Sequence, residues 1–303
     1  MRVFVTGATG FIGSATVRDL LAAGHQVLGL ARNDANAEAL AKVGVDVHRG
    51  ELTDTDSLVA GAKACDGVIH TAFIHDFSQF MANIETDRLA VTAMAGALEG
   101  TGKPLVISSG TLMVATQGPF GAAHARPATE ADSAADPNNG RAAAETLLAA
   151  AAERGVRGSA IRLSPTVHGA GDKGFIPMII AAAREKGVSA YVGEGANRWP
   201  AVHRLDAARL FRLAVESAAP GVRLHAATEE GIPMRAIAEA IGEGLGVPVR
   251  SLTPEEAPAH FGFLGGFVAF DNPISSAVTR SSLGWRPEQP DLLTDMRENG
   301  YFS

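Results

Sequence analysis

The chain holds one cysteine, Cys65, in 303 residues, so no intramolecular disulfide can form. That fits a reducing compartment, with Cys65 expected as a small buried hydrophobe near a strand start. No run of about 18 apolar residues occurs, which argues against a membrane-spanning helix and a membrane partner. Met1 and Arg2 lead straight into a strand without an apolar targeting segment, so the expected location is the cytoplasm. Basic residues are outnumbered, 26 Lys and Arg against 33 Asp and Glu, for a net charge of −7. Nucleic acid is therefore not an expected partner, since binding it needs basic surface. Neither HExxH nor paired-cysteine spacing is present, so no metal is expected, and no Gly-x-Ser-x-Gly elbow occurs. Tyrosine is scarce: only Tyr191 and Tyr301. No lysine lies between Lys103 and Lys173.

Hydrophobic residues make up 46% and charged residues 19%, a globular balance. Through residue 163, short β-branched runs alternate with alanine-rich helical runs. Strands are expected at 2–6, 26–31, 45–49, 67–71, 104–108 and 158–163, and helices at 10–23, 35–43, 55–62, 81–99 and 140–154. Such alternation implies right-handed crossovers, hence an α/β fold: a Rossmann-type doubly wound parallel sheet. The expected division is 1–164 for dinucleotide binding and 165–303 for a smaller, mostly helical substrate-binding region, packed as one unit with the first. There, helices are expected at 175–186, 205–217, 234–245 and 254–261, and strands near 190–192 and 222–226. Residues 116–139, rich in Gly, Pro, Ala, Asn and Asp, read as a long loop of the kind that is functional or mobile.

After the first strand the chain reads Thr6-Gly7-Ala8-Thr9-Gly10-Phe11-Ile12-Gly13 and opens a helix. Gly7 permits the tight turn, Gly10 lets backbone approach a pyrophosphate, and Gly13 allows helix to pack on strand. A dinucleotide is thus expected here. The end of the second strand selects between NAD and NADP. A carboxylate there would hold a ribose 2′-hydroxyl, and an arginine pairs with a 2′-phosphate. The chain has Arg32 at that point and Asp34 two residues on. NADP(H) is favoured over NAD(H), the alternative being that Arg32 is an ordinary solvated arginine.

Together these residues resemble the short-chain dehydrogenase/reductase superfamily, in its extended or atypical, epimerase/dehydratase-like branch, over nearly the whole chain. The resemblance implies cofactor contacts from the loop residues Thr6, Gly7, Thr9, Gly10, Phe11, Ile12 and Gly13. It adds Glu51 and Leu52 beside the adenine, Thr71 and Ala72 under the cofactor, and Ser108 at a Ser-Ser strand end. Pro165 and Val167 lie on the segment 162–169 that passes the nicotinamide. The segment 199–206 is similar to the family's Val-His-x-x-Asp stretch. The family transfers hydride between nicotinamide and a carbonyl carbon, with a Tyr moving the proton and a Lys four residues on. Aligned on Lys-Ala-Ala-Ala-Glu, this chain has Arg141 at the Lys place and Pro137 at the Tyr place. Arg141 can hold a ribose hydroxyl and supply fixed charge but cannot donate a proton; otherwise it pairs with Glu145 along the helix.

Thr111 and Ser109, just past a strand end, are the hydroxyls expected to hydrogen-bond a substrate oxygen, or else to cap backbone. His168 is a further candidate for moving the proton, as are His75 and His124 on loops. His203 reads as structural, and Asn138 and Asn139 as a turn. The expected activity is NADPH-dependent reduction of a small carbonyl or an imine, with atypical proton donation. The alternatives are a sensor that kept the cofactor fold and lost catalysis, or an epimerase or dehydratase that retains its cofactor. A homodimer through the long helices is what the family implies.

Overall fold

The computed structural model describes residues 1–74, 79–115, 123, 126–134 and 140–303, with only the backbone of Gly140 and Arg141. The chain begins β1 (Arg2–Thr6), α1 (Phe11–Ala22), β2 (Gln26–Ala31), α2 (Asp34–Lys42), β3 (Asp46–Arg49) and α3 (Thr55–Lys63). It continues through β4 (Gly67–His70), α4 (Phe80–Leu98), β5 (Pro104–Gly110) and a 3₁₀ turn at Thr111–Val114, then α5 (Gly140–Glu153) and β6 (Arg157–Leu163). Local chemistry sets these limits. Asn33 caps α2 by accepting from the Asn36 N–H at 2.9 Å, and Asp54 caps α3 by accepting from the Ser57 N–H at 3.0 Å.

Beyond β6 come β7 (Thr166–His168), α6 (Phe175–Lys186), β8 (Ser189–Val192), β9 (Arg198–His203), α7 (Arg204–Ser217), β10 (Val222–Ala226) and β11 (Glu229–Pro233). The C-terminal portion closes with α8 (Met234–Leu245), β12 (Val249–Leu252), α9 (Ala257–Phe261), α10 (Ala277–Leu283) and α11 (Leu292–Glu298). Gly187, Gly246 and Gly284 end α6, α8 and α10 in the left-handed conformation.

Seven strands form one parallel sheet in the order β3-β2-β1-β4-β5-β6-β10. Side chains alternate across it, so each strand feeds two cores. Val3, Val5, Ile69, Val106 and Ile161 pack against Leu20 of α1 and Phe211 of α7. Phe4, Val68, Leu105 and Ile107 point the other way, onto Leu58 of α3, Met94 of α4 and Leu148 of α5. Cys65 is buried beside this second core, and burial pushes its thiol up to about 11. A third core, around Trp199, Ile237, Ile241 and Met296, holds the C-terminal elements together. Two small sheets, β11-β9-β7 and β12-β8, complete the described residues.

The doubly wound architecture expected from the alternation is what the chain adopts. A division at 164/165 does not follow the packing, because β10 completes the large sheet and α7 covers one face of it. The chain leaves that sheet after β6 and returns to it. Among the described residues, no helix is long and apolar enough to cross a membrane.

Candidate functional site

β1 and β4 are neighbours, yet the chain leaves them in opposite directions, to β2 on one side and to β5 on the other. A crevice opens at such a point, beyond the carboxyl ends of the strands. The loop after β1 fills one wall of it. Gly7 takes φ +68°, and its carbonyl accepts from the Gly10 N–H at 2.8 Å. A Cβ on Gly7 would lie 2.7 Å from the Ala72 nitrogen, and one on Gly13 only 2.0 Å from the Gly7 oxygen. Glycine is therefore required at both positions for this turn to close on α1 and on the strand-end residues Thr71 and Ala72. The Thr71 hydroxyl donates to the Thr6 carbonyl at 2.8 Å, tying the β4 exit to the β1 exit.

The fit to a dinucleotide pyrophosphate rests on how α1 begins. Gly10 caps it with no side chain, and no acidic residue stands in its first turn. Its first N–H groups and the positive end of its dipole are left for an anion. Thr9 and Gly10 are exposed and Phe11 and Ile12 half-buried, as a ligand-facing turn requires.

Under this loop runs a buried polar chain that sequence reasoning did not single out. The Thr6 hydroxyl donates to Nδ1 of His70 at 2.7 Å, and His70 Nε2 donates to Asp87 of α4 at 3.1 Å. All three residues are buried. The legible signal was a lone polar residue ending an apolar strand, Val68-Ile69-His70.

At the end of β2, Arg32 is exposed and has no hydrogen-bond or ion-pair partner among the described residues. Asp34 is instead committed to Arg49, at 2.7 Å. Glu51 is exposed and accepts from the Thr53 hydroxyl at 2.9 Å, while Leu52 packs against the α3 core.

The carboxyl end of β5 carries the expected hydroxyls. Ser108 is half-buried, but the Ser109 side chain is buried and donates to Glu145 of α5 at 2.7 Å. Glu145 also binds Arg162 through both oxygens, at 2.9 and 2.7 Å, and lies 3.2 Å from Arg223. Ser109 thus belongs to a buried charge network, correcting its expected place at a substrate oxygen. The Glu145 carboxylate lies inside that network and not on an open helix face. Thr111 is buried as well and accepts from the Asn272 amide at 2.9 Å. Its own O–H has no acceptor among the described residues.

Beyond β6 the side chains alternate. Pro165 and Val167 are half-buried, Val167 packing against the core shared by α1 and α7, and Ser164, Thr166 and His168 are buried. His168 is fully buried: its Nδ1 donates to Asp295 of α11 at 2.8 Å, and its Nε2 is without a partner among the described residues. That corrects its expected place beside the nicotinamide, since β periodicity puts it opposite Val167. His203 stands edge-on to it, with ring centroids 5.2 Å apart, and burial holds the His203 pKa down. Its Nδ1 accepts from the Leu205 N–H at 3.2 Å, capping α7, which is the structural part expected of it. Tyr301 donates to Asp172 at 3.0 Å, and burial raises its phenol far above the usual value. His75, His124, Pro137, Asn138 and Asn139 lie outside the described residues, as does the Arg141 side chain.

A model of the NAD dependent epimerase/dehydratase family matches residues 3–226. An uncharacterized protein of Schizosaccharomyces pombe is 48% identical over 302 residues, covering 100% of both chains. The 2-alkyl-3-oxoalkanoate reductase of Stenotrophomonas maltophilia is 29% identical over 266 residues, 82% of this chain and 77% of that one. The solved structure of Thermus thermophilus UDP-glucose 4-epimerase in complex with NAD is similar at TM-score 0.76 and 23% identity, over 100% of this chain and 99% of that one.

Proposed function

The chain belongs to the NAD dependent epimerase/dehydratase family, in the extended short-chain dehydrogenase/reductase superfamily, and from that premise we propose that it is an NADPH-dependent reductase of small carbonyl compounds or imines. The observation that carries the cofactor choice is at the end of β2. The one carboxylate near the ribose position, Asp34, is neutralised by Arg49, and Arg32 beside it stands exposed and unpaired. That arrangement favours a 2′-phosphate, because the unpaired charge at the strand end is a cation while one Asp34 oxygen is already held by Arg49. A relative named as an oxoalkanoate reductase supports carbonyl reduction as the chemistry.

Bound at the crevice, the cofactor supplies hydride; this chain's own residues do the rest. The turn Thr6–Gly13 and the open N-terminus of α1 hold the phosphates. Pro165 and Val167 line the passage beyond β6. At the end of β5, Thr111 gives its O–H to the substrate oxygen while the Asn272 amide occupies its lone pair. A threonine hydroxyl polarises without ionising at neutral pH, so an imine that arrives protonated suits this site better than a ketone does.

The test is NADPH oxidation followed by absorbance across a panel of aldehydes, ketones and imines. Turnover with an imine or a carbonyl supports the reductase. Tight NADPH binding with no turnover on any member would instead favour the sensor. That reading gains from Ser109 and His168 both being committed to buried partners.

A further inference from the structure

We propose that Arg204, the first residue of α7, is a pyrophosphate clamp for the dinucleotide; this rests on the cofactor reading above. The turn Thr6–Gly13 contains no charged side chain, and the first charges on α1 are Arg18 and Asp19, more than a turn along. A helix N-terminus contributes roughly half an elementary charge, against two negative charges on a pyrophosphate. The chain meets the difference from a distant element. α7 lies alongside α1 in the same direction, pinned by Arg212 to Asp19 at 2.6 Å and by Glu216 to His25 at 2.8 Å. Both N-termini therefore point to the crevice.

The Arg204 guanidinium sits over the Phe11 ring, 5.1 Å from its centroid, at the residue that opens α1. Its stem reaches there across Gly169. A Cβ on Gly169, which takes φ +134°, would lie 2.9 Å from His203 Nε2, 3.1 Å from Arg204 Cγ and 3.3 Å from Cδ. Glycine there leaves room for both the His203 ring and the arginine stem. Among the described residues Arg204 has no hydrogen-bond or ion-pair partner, unlike Arg209 and Arg212 on the same helix. A half-buried guanidinium held by an aromatic face keeps its planar donors free for a phosphate oxygen.

Arg204→Gln and Arg204→Lys test the assignment by titration calorimetry with NADPH, NADH, ADP-ribose and adenosine 2′-monophosphate. Arg204→Gln is expected to weaken NADPH, NADH and ADP-ribose alike, by about ten- to a hundredfold, the scale of one charge-assisted hydrogen bond. Adenosine 2′-monophosphate, which has no pyrophosphate, is expected to bind unchanged. Arg204→Lys keeps the charge and recovers part of the loss, and it serves should the glutamine variant fail to fold. Three outcomes would overturn the clamp: ADP-ribose affinity equal to wild type, a loss shared by adenosine 2′-monophosphate, or a rise in substrate KM with cofactor affinity intact. Wild-type protein that binds neither dinucleotide would sink the cofactor reading and the clamp together.

Discussion

The Asp34 carboxylate sits 2.7 Å from the Arg49 guanidinium, across the edge where α2 meets β3. Both side chains are largely exposed, at 90% and 56%, so the pair contributes little to stability, about 0–1 kcal/mol. Its effect is on selection. With Asp34 drawn toward Arg49, Arg32 is the charge left at the end of β2. Arg32→Ala is expected to weaken NADPH about tenfold or more and NADH hardly at all, as read by titration. Equal losses for both would remove the NADP assignment.

The buried chain Thr6–His70–Asp87 sits directly beneath the phosphate loop. Asp87→Ala strands a buried imidazole N–H and is expected to cost about 2–4 kcal/mol in urea denaturation. Cofactor affinity should fall in step, because Thr6 begins the turn. A wild-type midpoint in this variant would show that the loop does not depend on the chain below it.

The β5 hydroxyls should separate cleanly. Ser109→Ala removes one hydrogen bond to Glu145, and about 1 kcal/mol of stability, while leaving turnover near wild type. Thr111→Val keeps the shape but removes the O–H offered to substrate, and is expected to lower kcat about a hundredfold with cofactor binding intact. Steady-state rates on both variants decide it. A Thr111→Val enzyme with normal kcat would place the oxygen-binding group elsewhere.

Acid should loosen the fold through His225. This side chain is fully buried; its Nδ1 donates to the Ser275 carbonyl at 2.8 Å and its Nε2 faces Arg162 at 3.3 Å. Burial is the main cause that lowers its pKa below 6.5, with Arg162 adding to it and the hydrogen bond to Ser275, Glu130 and Glu145 opposing. The unfolded chain therefore takes up a proton at a pH where the native ring stays neutral. Stability from this site is complete above about pH 6.5 and is lost as pH falls from there toward the native value, with a slope of at most about 1.4 kcal/mol per pH unit. Urea midpoints between about pH 7.5 and about pH 5.5 measure it. His225→Gln should flatten the dependence; an unchanged slope would assign it to other groups.

Much of this was written in local pattern. Strands and helices through residue 163 follow from β-branched runs and helical spacing, and the glycine spacing of 7, 10 and 13 encodes a turn whose geometry tolerates no Cβ at Gly7 or Gly13. The short strands β7, β9, β11 and β12 were not legible. β7 has three residues and pairs with β9 some thirty residues on, so nothing local marks it. The site divides along the same line. That Val167 and His168 lie on opposite faces follows from two-residue alternation once β7 is recognised as a strand. Asn272 on Thr111 and Arg204 on Phe11 depend on contacts made far along the chain, which no short-range pattern reports.

The return of the chain to its first sheet bears on how this protein can be cut, recombined or made. A fragment ending at residue 164 would carry the whole phosphate turn, yet would lack β10 and α7. β6 would then be a bare edge, and Val106 and Ile161 would lose the cover of Phe211. Such an edge invites pairing with other chains. The nucleotide-binding half is therefore not a transplantable cassette. During synthesis its sheet stays unfinished until residue 226 has left the ribosome, so the phosphate turn rests on a complete sheet only after α7 and β10 have been made.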